Sequence, residues 1–139
     1  MMGTLLTFDV AVPTAVAADA GRNHRSGSHH LRHKAVQAIR LLTRNAQQGK
    51  GPQLGTLDTP VDVHVQQRCT TRHRRDPDNV SGPGKAILDE LVAVGRLPDD
   101  SWRHVGAVTY SIVVGCDDVD DGCHVYRVWV DAADREVAA

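Results

Sequence analysis

Aromatic side chains are scarce in this chain of 139 residues: one Phe, two Tyr and two Trp make up 4% of it. A core of stacked rings is excluded, so Val, Leu, Ile and Ala must fill the interior. Cysteine is sparse and odd in number: Cys69, Cys116 and Cys123. Three thiols form no disulfide framework, and the expectation is reduced thiols in a cytoplasmic protein. Buried strand positions are their expected role, with a pairing of Cys116 and Cys123 across a hairpin as the alternative. Cys69, His73, Cys123 and His124 follow no zinc-ligand spacing. No apolar run approaches the roughly 18 residues of a membrane span. The segment AVPTAVAADA has the small residues of a signal cleavage region, but no positive start precedes it and Asp9 interrupts the apolar run. Secretion is therefore not expected, and the sequon at Asn79 carries no glycan. Repeats and low-complexity segments are absent.

What is present is charge, unevenly spread. Eleven Lys/Arg against four Asp give Met1 to Arg75 a balance of +7, whereas five against thirteen acids give Asp76 to Ala139 a balance of −8. A basic half suits polyanion binding, and an acidic half suits metal binding or solubility. Uneven decoration of two solvated surfaces is the plainer alternative. The length is that of one domain, which buries only about 70% of its unfolded surface, and a homodimer would bury more.

Hydrophobic periodicity predicts the order β-α-β-α-β-β, a mixed α+β single domain with two helices against a mixed sheet. Thr4 to Val12 reads as a strand ended by Pro13, and Ala18 to His30 as a long loop. Leu31 to Gln48 reads as a helix with Leu31, Ala35, Ala38, Ile39, Leu42 and Ala46 on one stripe and Arg40 and Arg44 off it. Gly49 and Gly51-Pro52 close that helix. Val61, Val63 and Val65 alternate with Asp62, His64, Gln66 and Arg68, the pattern of a half-buried strand. A second helix follows Gly82 as its cap and Pro83 at its first position, with Ile87, Leu88, Leu91 and Val92 inward and Gly95 as its stop. Val105 to Val114 and His124 to Val130 read as two strands joined through the turn at Asp121-Gly122.

The stretch RRDPDNVSGPGKAILDE, Arg74 to Glu90, concentrates charge of both signs. In extended backbone Asp76 and Asp78 point the same way and repel unless a proton or a cation lies between them. Mg²⁺ favours such oxygen ligands, binding through one or two carboxylates with waters and substrate phosphate. Asn79 can orient one carboxylate, and Asp99 and Asp100 add a second acidic pair. Lys85 falls in the first turn of the second helix, where a cation is disfavoured. Two reasons stand for it: a phosphate held at the helix end, or an ion pair with Asp89 one turn on. Arg68, Arg72, Arg74 and Arg75 precede the acids and suit a nucleic-acid backbone, or an ordinary basic loop. His24, His29, His30 and His33 read as solvated loop residues, with contact to DNA as the alternative.

Two lookalikes fail. GPGKA lacks the first glycine of a phosphate-binding Walker loop, since Asn79 stands there, and Ala86 replaces its Ser or Thr. DDVDDG has Val119 at the third position of a calcium loop, where a ligand belongs, and no closing glutamate, and reads as a solvated hairpin tip.

The residues Asp76, Asp78, Asn79, Lys85, Asp89, Asp99 and Asp100, in the pattern Asp-x-Asp-Asn, Lys, Asp four later and Asp-Asp after the helix, resemble the RusA-like Holliday junction resolvases. The resemblance covers Arg74 to Asp100 and is of the phage type. NVSGPGKA makes the turn before the lysine longer than in the best-known member. The resemblance implies a RusA-like fold and a homodimeric endonuclease that cuts branched DNA, such as a four-way junction, in recombination and repair. It implies Mg²⁺, with Mn²⁺ as a substitute, and no organic cofactor or membrane. Asp76, Asp78 and Asp100 would be catalytic acids and metal ligands with Asp99 in support. Lys85 would assist catalysis, Arg68, Arg72, Arg74 and Arg75 would bind DNA, and Asn79 and Asp89 would stand behind the ligands. A DNA-binding protein of the same fold without catalysis is the alternative.

Overall fold

A computed structural model describes residues 3–21, 28–48, 55–58, 60–72 and 75–133. The alternating residues form four strands: β1 (Thr4–Pro13), β2 (Val61–Arg68), β3 (Val105–Val113) and β4 (Cys123–Ala132). Three helices accompany them: α1 (Thr14–Gly21), α2 (Ser28–Gln48) and α3 (Ser81–Ala93), the last entered through a 3-10 turn at Pro77–Val80. The sheet order is β1-β4-β2-β3. β2 and β3 run parallel, with α3 in the crossover between them, while β4 is antiparallel to both β1 and β2. The molecule is thus mixed α+β, a four-stranded mixed sheet with three helices.

Leu6, Phe8, Val10 and Val12 of β1, Val61, Val63 and Val65 of β2, and Tyr126, Val128 and Val130 of β4 share one face of the sheet and are buried. That face packs against Ala17 and Ala20 of α1, Ala35 and Ile39 of α2, and Ala86, Ile87, Leu88 and Leu91 of α3. The other face is polar. Arg127 donates to both oxygens of Asp9 at 3.0 and 3.1 Å, and the rings of His64 and Trp129 stack at 5.1 Å.

Four expectations from the sequence are corrected. The expected loop from Ala18 contains the end of α1, because the alanine-rich run Thr14–Ala20 has high helix propensity and buries Ala17 and Ala20. The first long helix begins at Ser28, and its buried stripe is Ala35, Ile39, Thr43 and Gln47, leaving Leu31 exposed. β3 and β4 do not form a hairpin, since β2 lies between β3 and β4. α3 starts at Ser81, so Pro83 is its third residue and Lys85 lies beyond its first turn. Gly49, Gly51 and Pro52 lie outside the described residues. Cys69 and Cys116 are buried and Cys123 half-buried, all as free thiols.

Gly82 and Gly84 explain the GPG turn by close approach. A Cβ on Gly82 would stand 2.3 Å from the carbonyl oxygen of Ala20, so only glycine lets α3 begin against the end of α1. A Cβ on Gly84 would stand 2.6 Å from the Tyr110 ring, which lies on α3 from β3. Helices α2 and α3 are joined by a different device. The carboxylate of Glu90, with no exposed surface, accepts from Arg40 Nε at 2.9 Å and Arg44 Nε at 2.7 Å. The two arginines placed off the apolar stripe therefore reach a neighbouring helix instead of solvent alone.

Candidate functional site

Asp76 has extended backbone (φ −108°, ψ 135°) and caps the 3-10 turn in which Asp78 sits. The turn, not an extended run, now relates the two acids, so the alternation rule no longer aims them at one point. The turn is closed by the Asn79 N–H to the Asp76 carbonyl at 3.0 Å, and Ser81 Oγ donates to the Asp78 carbonyl at 2.6 Å. Both carboxylates are exposed, and no described side chain bonds either of them.

Lys85 joins two parts of the chain. Its Nζ pairs with Asp89 at 2.9 Å, one helical turn on, and donates to Asp100 Oδ2 in the loop that follows α3. The ion pair with Asp89 expected from spacing is therefore formed, alongside a second partner. These hydrogen bonds, Asp100 first, raise the Lys85 ammonium above its ordinary value. The hydrogen bond from Lys85 holds the Asp100 carboxyl below its own. Asp99 Oδ1 accepts the backbone N–H of Asp100 at 2.8 Å and so shapes the loop.

Two clefts connect these groups. One, of about 500 Å³, is lined by Asp78, Asn79, Ser81, Gly82 and Arg32. The next, of about 460 Å³, shares Arg32, Ser81 and Gly82 and adds Lys85, Asp89 and Tyr110. Together they make one groove along the start of α3, with Asp78 at one end and the Lys85–Asp100 pair toward the other. Arg32 and Tyr110 were not singled out in the sequence. Arg32 resembles any exposed helix arginine there, and it becomes distinctive only once α2 packs beside α3. Trp102, two residues after Asp100, is 55% exposed with Arg103 over its ring at 5.2 Å.

The arginines divide. Arg75 is half-buried and donates from Nη2 to Thr71 Oγ1 at 2.6 Å. Arg72 is exposed, with its guanidinium against Gly115. Arg68 points to the polar face of the sheet, where it bonds Gln66 at 3.1 Å and meets Asp118 at 3.4 Å. The fold thus separates it from the Asp76 turn. Arg74, His73 and His24 lie outside the described residues, while His29, His30 and His33 are exposed on α2.

The donor chemistry suits a hard cation such as Mg²⁺: aspartate oxygens, two of them exposed on one turn. Among the described residues, however, no three His, Cys, Asp or Glu side chains cluster closely enough to hold a metal ion. A site of this type needs only one or two carboxylates, completed by substrate oxygens. Among the described residues no helix is long and apolar enough to cross a membrane. Compared with known proteins, the chain matches no family model and no curated protein.

Proposed function

We propose that the chain is an Mg²⁺-dependent, structure-selective DNA endonuclease of the RusA-like type, working as a homodimer on four-way junctions. The observation that carries the reading is the groove joining Asp78 to Lys85, whose ammonium in turn holds Asp100. Three of the residues named by the motif thus meet along one surface with Arg32 beside them.

Asp76 and Asp78 would hold the cation, with Asp100 swinging from or sharing Lys85. When bound, Mg²⁺ supplies Lewis-acid relief of the phosphodiester's charge. Lys85 places a fixed positive charge beside the scissile phosphate, most useful where negative charge grows in the transition state. Arg32, Arg72 and Arg75 grip the flanking backbone. Tyr110 and Ala86 wall the groove on its apolar side. A two-fold dimer presents two such grooves, matching the near two-fold symmetry of a four-way junction.

The test is nicking of a synthetic four-way junction. Cutting in Mg²⁺, lost in EDTA and in Asp78→Asn while junction binding persists, is the expected result. Equal cutting by Asp78→Asn and the parent would overturn the metal assignment. One observation favours a second reading, a DNA-binding protein without catalysis: Asp100 is already engaged by Lys85, and among the described residues no three acidic groups converge. Salt-sensitive junction binding with no metal-dependent cutting would select it.

A further inference from the structure

A second cavity, of about 150 Å³, lies where the apolar core gives out. The core face of β2 runs Val61, Val63, Val65 and then Gln67; that of its antiparallel neighbour β4 runs back through Val130, Val128 and Tyr126 to His124. Both strands therefore turn polar at the same end. Helix α1 forms one wall, while Gln67, Arg75, Asn79 and His124 supply the polar lining.

Gln67 is accounted for: its Nε2 donates to the Tyr126 hydroxyl at 2.7 Å, and its Oε1 accepts from Cys69 Sγ at 3.5 Å. His124 and Arg75 are not. His124 is 8% exposed, and its Nδ1 has no hydrogen-bond partner. Arg75 Nε is also buried without a partner, and the described bond of its guanidinium goes to a neutral hydroxyl. Among the described residues no carboxylate lines the cavity. Asp121 lines an adjoining cleft with Arg75, but no ion pair joins them. A half-buried guanidinium whose Nε is shielded and that has no counter-ion among the described residues favours an anion, and a buried ring nitrogen without a partner is costly. One anion would satisfy both.

We propose that this cavity is a phosphate-binding pocket in which Arg75 and His124 together hold one phosphoryl group. A guanidinium matches the spacing of phosphoryl oxygens, and a ring nitrogen and the Asn79 amide offer further directions. The volume is about ten times the minimum that one water needs. A cation is excluded by Arg75. The pocket shares Arg75 with the function proposed above, but it needs neither a divalent ion nor strand cleavage, so phosphate binding in EDTA tests it separately. The phosphoryl group belongs either to a nucleic-acid strand or to free phosphate, and both present the same chemistry.

The test follows the His124 ring by NMR while inorganic phosphate replaces chloride at constant ionic strength, in EDTA at pH 7. A saturable shift is expected with phosphate and not with chloride. Affinity should fall at least tenfold in Arg75→Gln and stay within twofold of the parent in Arg103→Gln, which removes the same charge elsewhere. No saturable shift in the parent protein, or equal affinity in Arg75→Gln, would overturn the pocket. Short DNA strands with and without a 5′-phosphate then compete for the loaded site. Displacement by the phosphorylated strand alone assigns a strand end, displacement by both assigns an internal phosphodiester, and displacement by neither assigns free phosphate.

Discussion

Lys85 and His124 show how single groups tie this molecule to pH. Asp100 titrates below its ordinary value of 3.8 because Lys85 donates to it. The stability it contributes is present above that value and is lost as pH falls through the lower, folded one. Lys85 titrates above 10.5, so its share is present below that value and is lost as pH rises past the folded one. The lysine is 56% exposed, so the pair is worth about 0–1 kcal/mol. Lys85→Met should therefore move the urea midpoint by no more than that, while Asp100 returns toward its ordinary range in an NMR titration. Junction cutting should fall about 10²–10³-fold, the usual cost of losing a fixed charge beside a reacting oxyanion. His124 behaves differently. Burial first, then Arg75, holds its ring below the ordinary 6.5. The unfolded chain then binds a proton that the folded chain refuses. Stability should fall as pH drops below about 6.5, and His124→Gln should flatten that part of the profile.

At the scale of elements, the glycine pair and the buried carboxylate make the sharpest predictions. Gly82→Ala drives a methyl into backbone, whereas Gly84→Ala meets a tyrosine ring that can turn aside. Both should destabilise in urea, by about 1–3 kcal/mol for such overpacking, with Gly82→Ala the costlier. Glu90 is raised by burial and lowered further by bonds from Arg44 and Arg40, ending below its ordinary value of 4.5. Its clamp on α2 should hold above that pH and loosen as acid protonates it. A melting series should show that acid loss weakened in Glu90→Gln. β2 was legible in the sequence because Val61 to Gln66 alternates apolar with polar residues without a break. The clamp was not, since Asp89-Glu90 reads as a solvated pair until α2 is laid across it. The hairpin was misread because Val105–Val113 and Cys123–Ala132 are neighbours along the chain. A connection of nine residues looks like a turn, and nothing local says that β2 will enter between them. Of the site, the charged motif could be read directly. Arg32 and the polar ends of the core strips at Gln67 and His124 could not, because each takes meaning from a partner distant in sequence.

At the scale of the whole molecule, charge of both signs gathers around the Asp76 turn: Arg75 precedes it in the chain, Arg32 lines the groove beside Asp78, and Arg72 stands against Gly115. A nucleic acid held there would be bound by its phosphates and repelled by the acids. With three phosphates neutralised per protomer, log affinity for duplex DNA should fall against log salt with a slope of about −3 per protomer. A slope near zero in a filter-binding series would remove the nucleic-acid reading altogether. Adding Mg²⁺ at fixed ionic strength should tighten junction binding by screening Asp76 and Asp78, and Asp78→Asn should mimic it.

The order β1-β4-β2-β3 has a consequence for how the protein is made. β4, last of the four strands to leave the ribosome, is the one to which both β1 and β2 are bonded. Until it emerges, β1 has no neighbour and the β2–α3–β3 crossover has an open flank. The nascent chain must therefore wait, with the hydrogen-bonding edge of β1 unpaired, for its final strand. Closure across most of the chain is entropically slow, on the order of milliseconds to seconds for such pairings. A ribosome stalled before Cys123 would hold an unfinished sheet with β1 unpaired, the kind of open edge that invites aggregation.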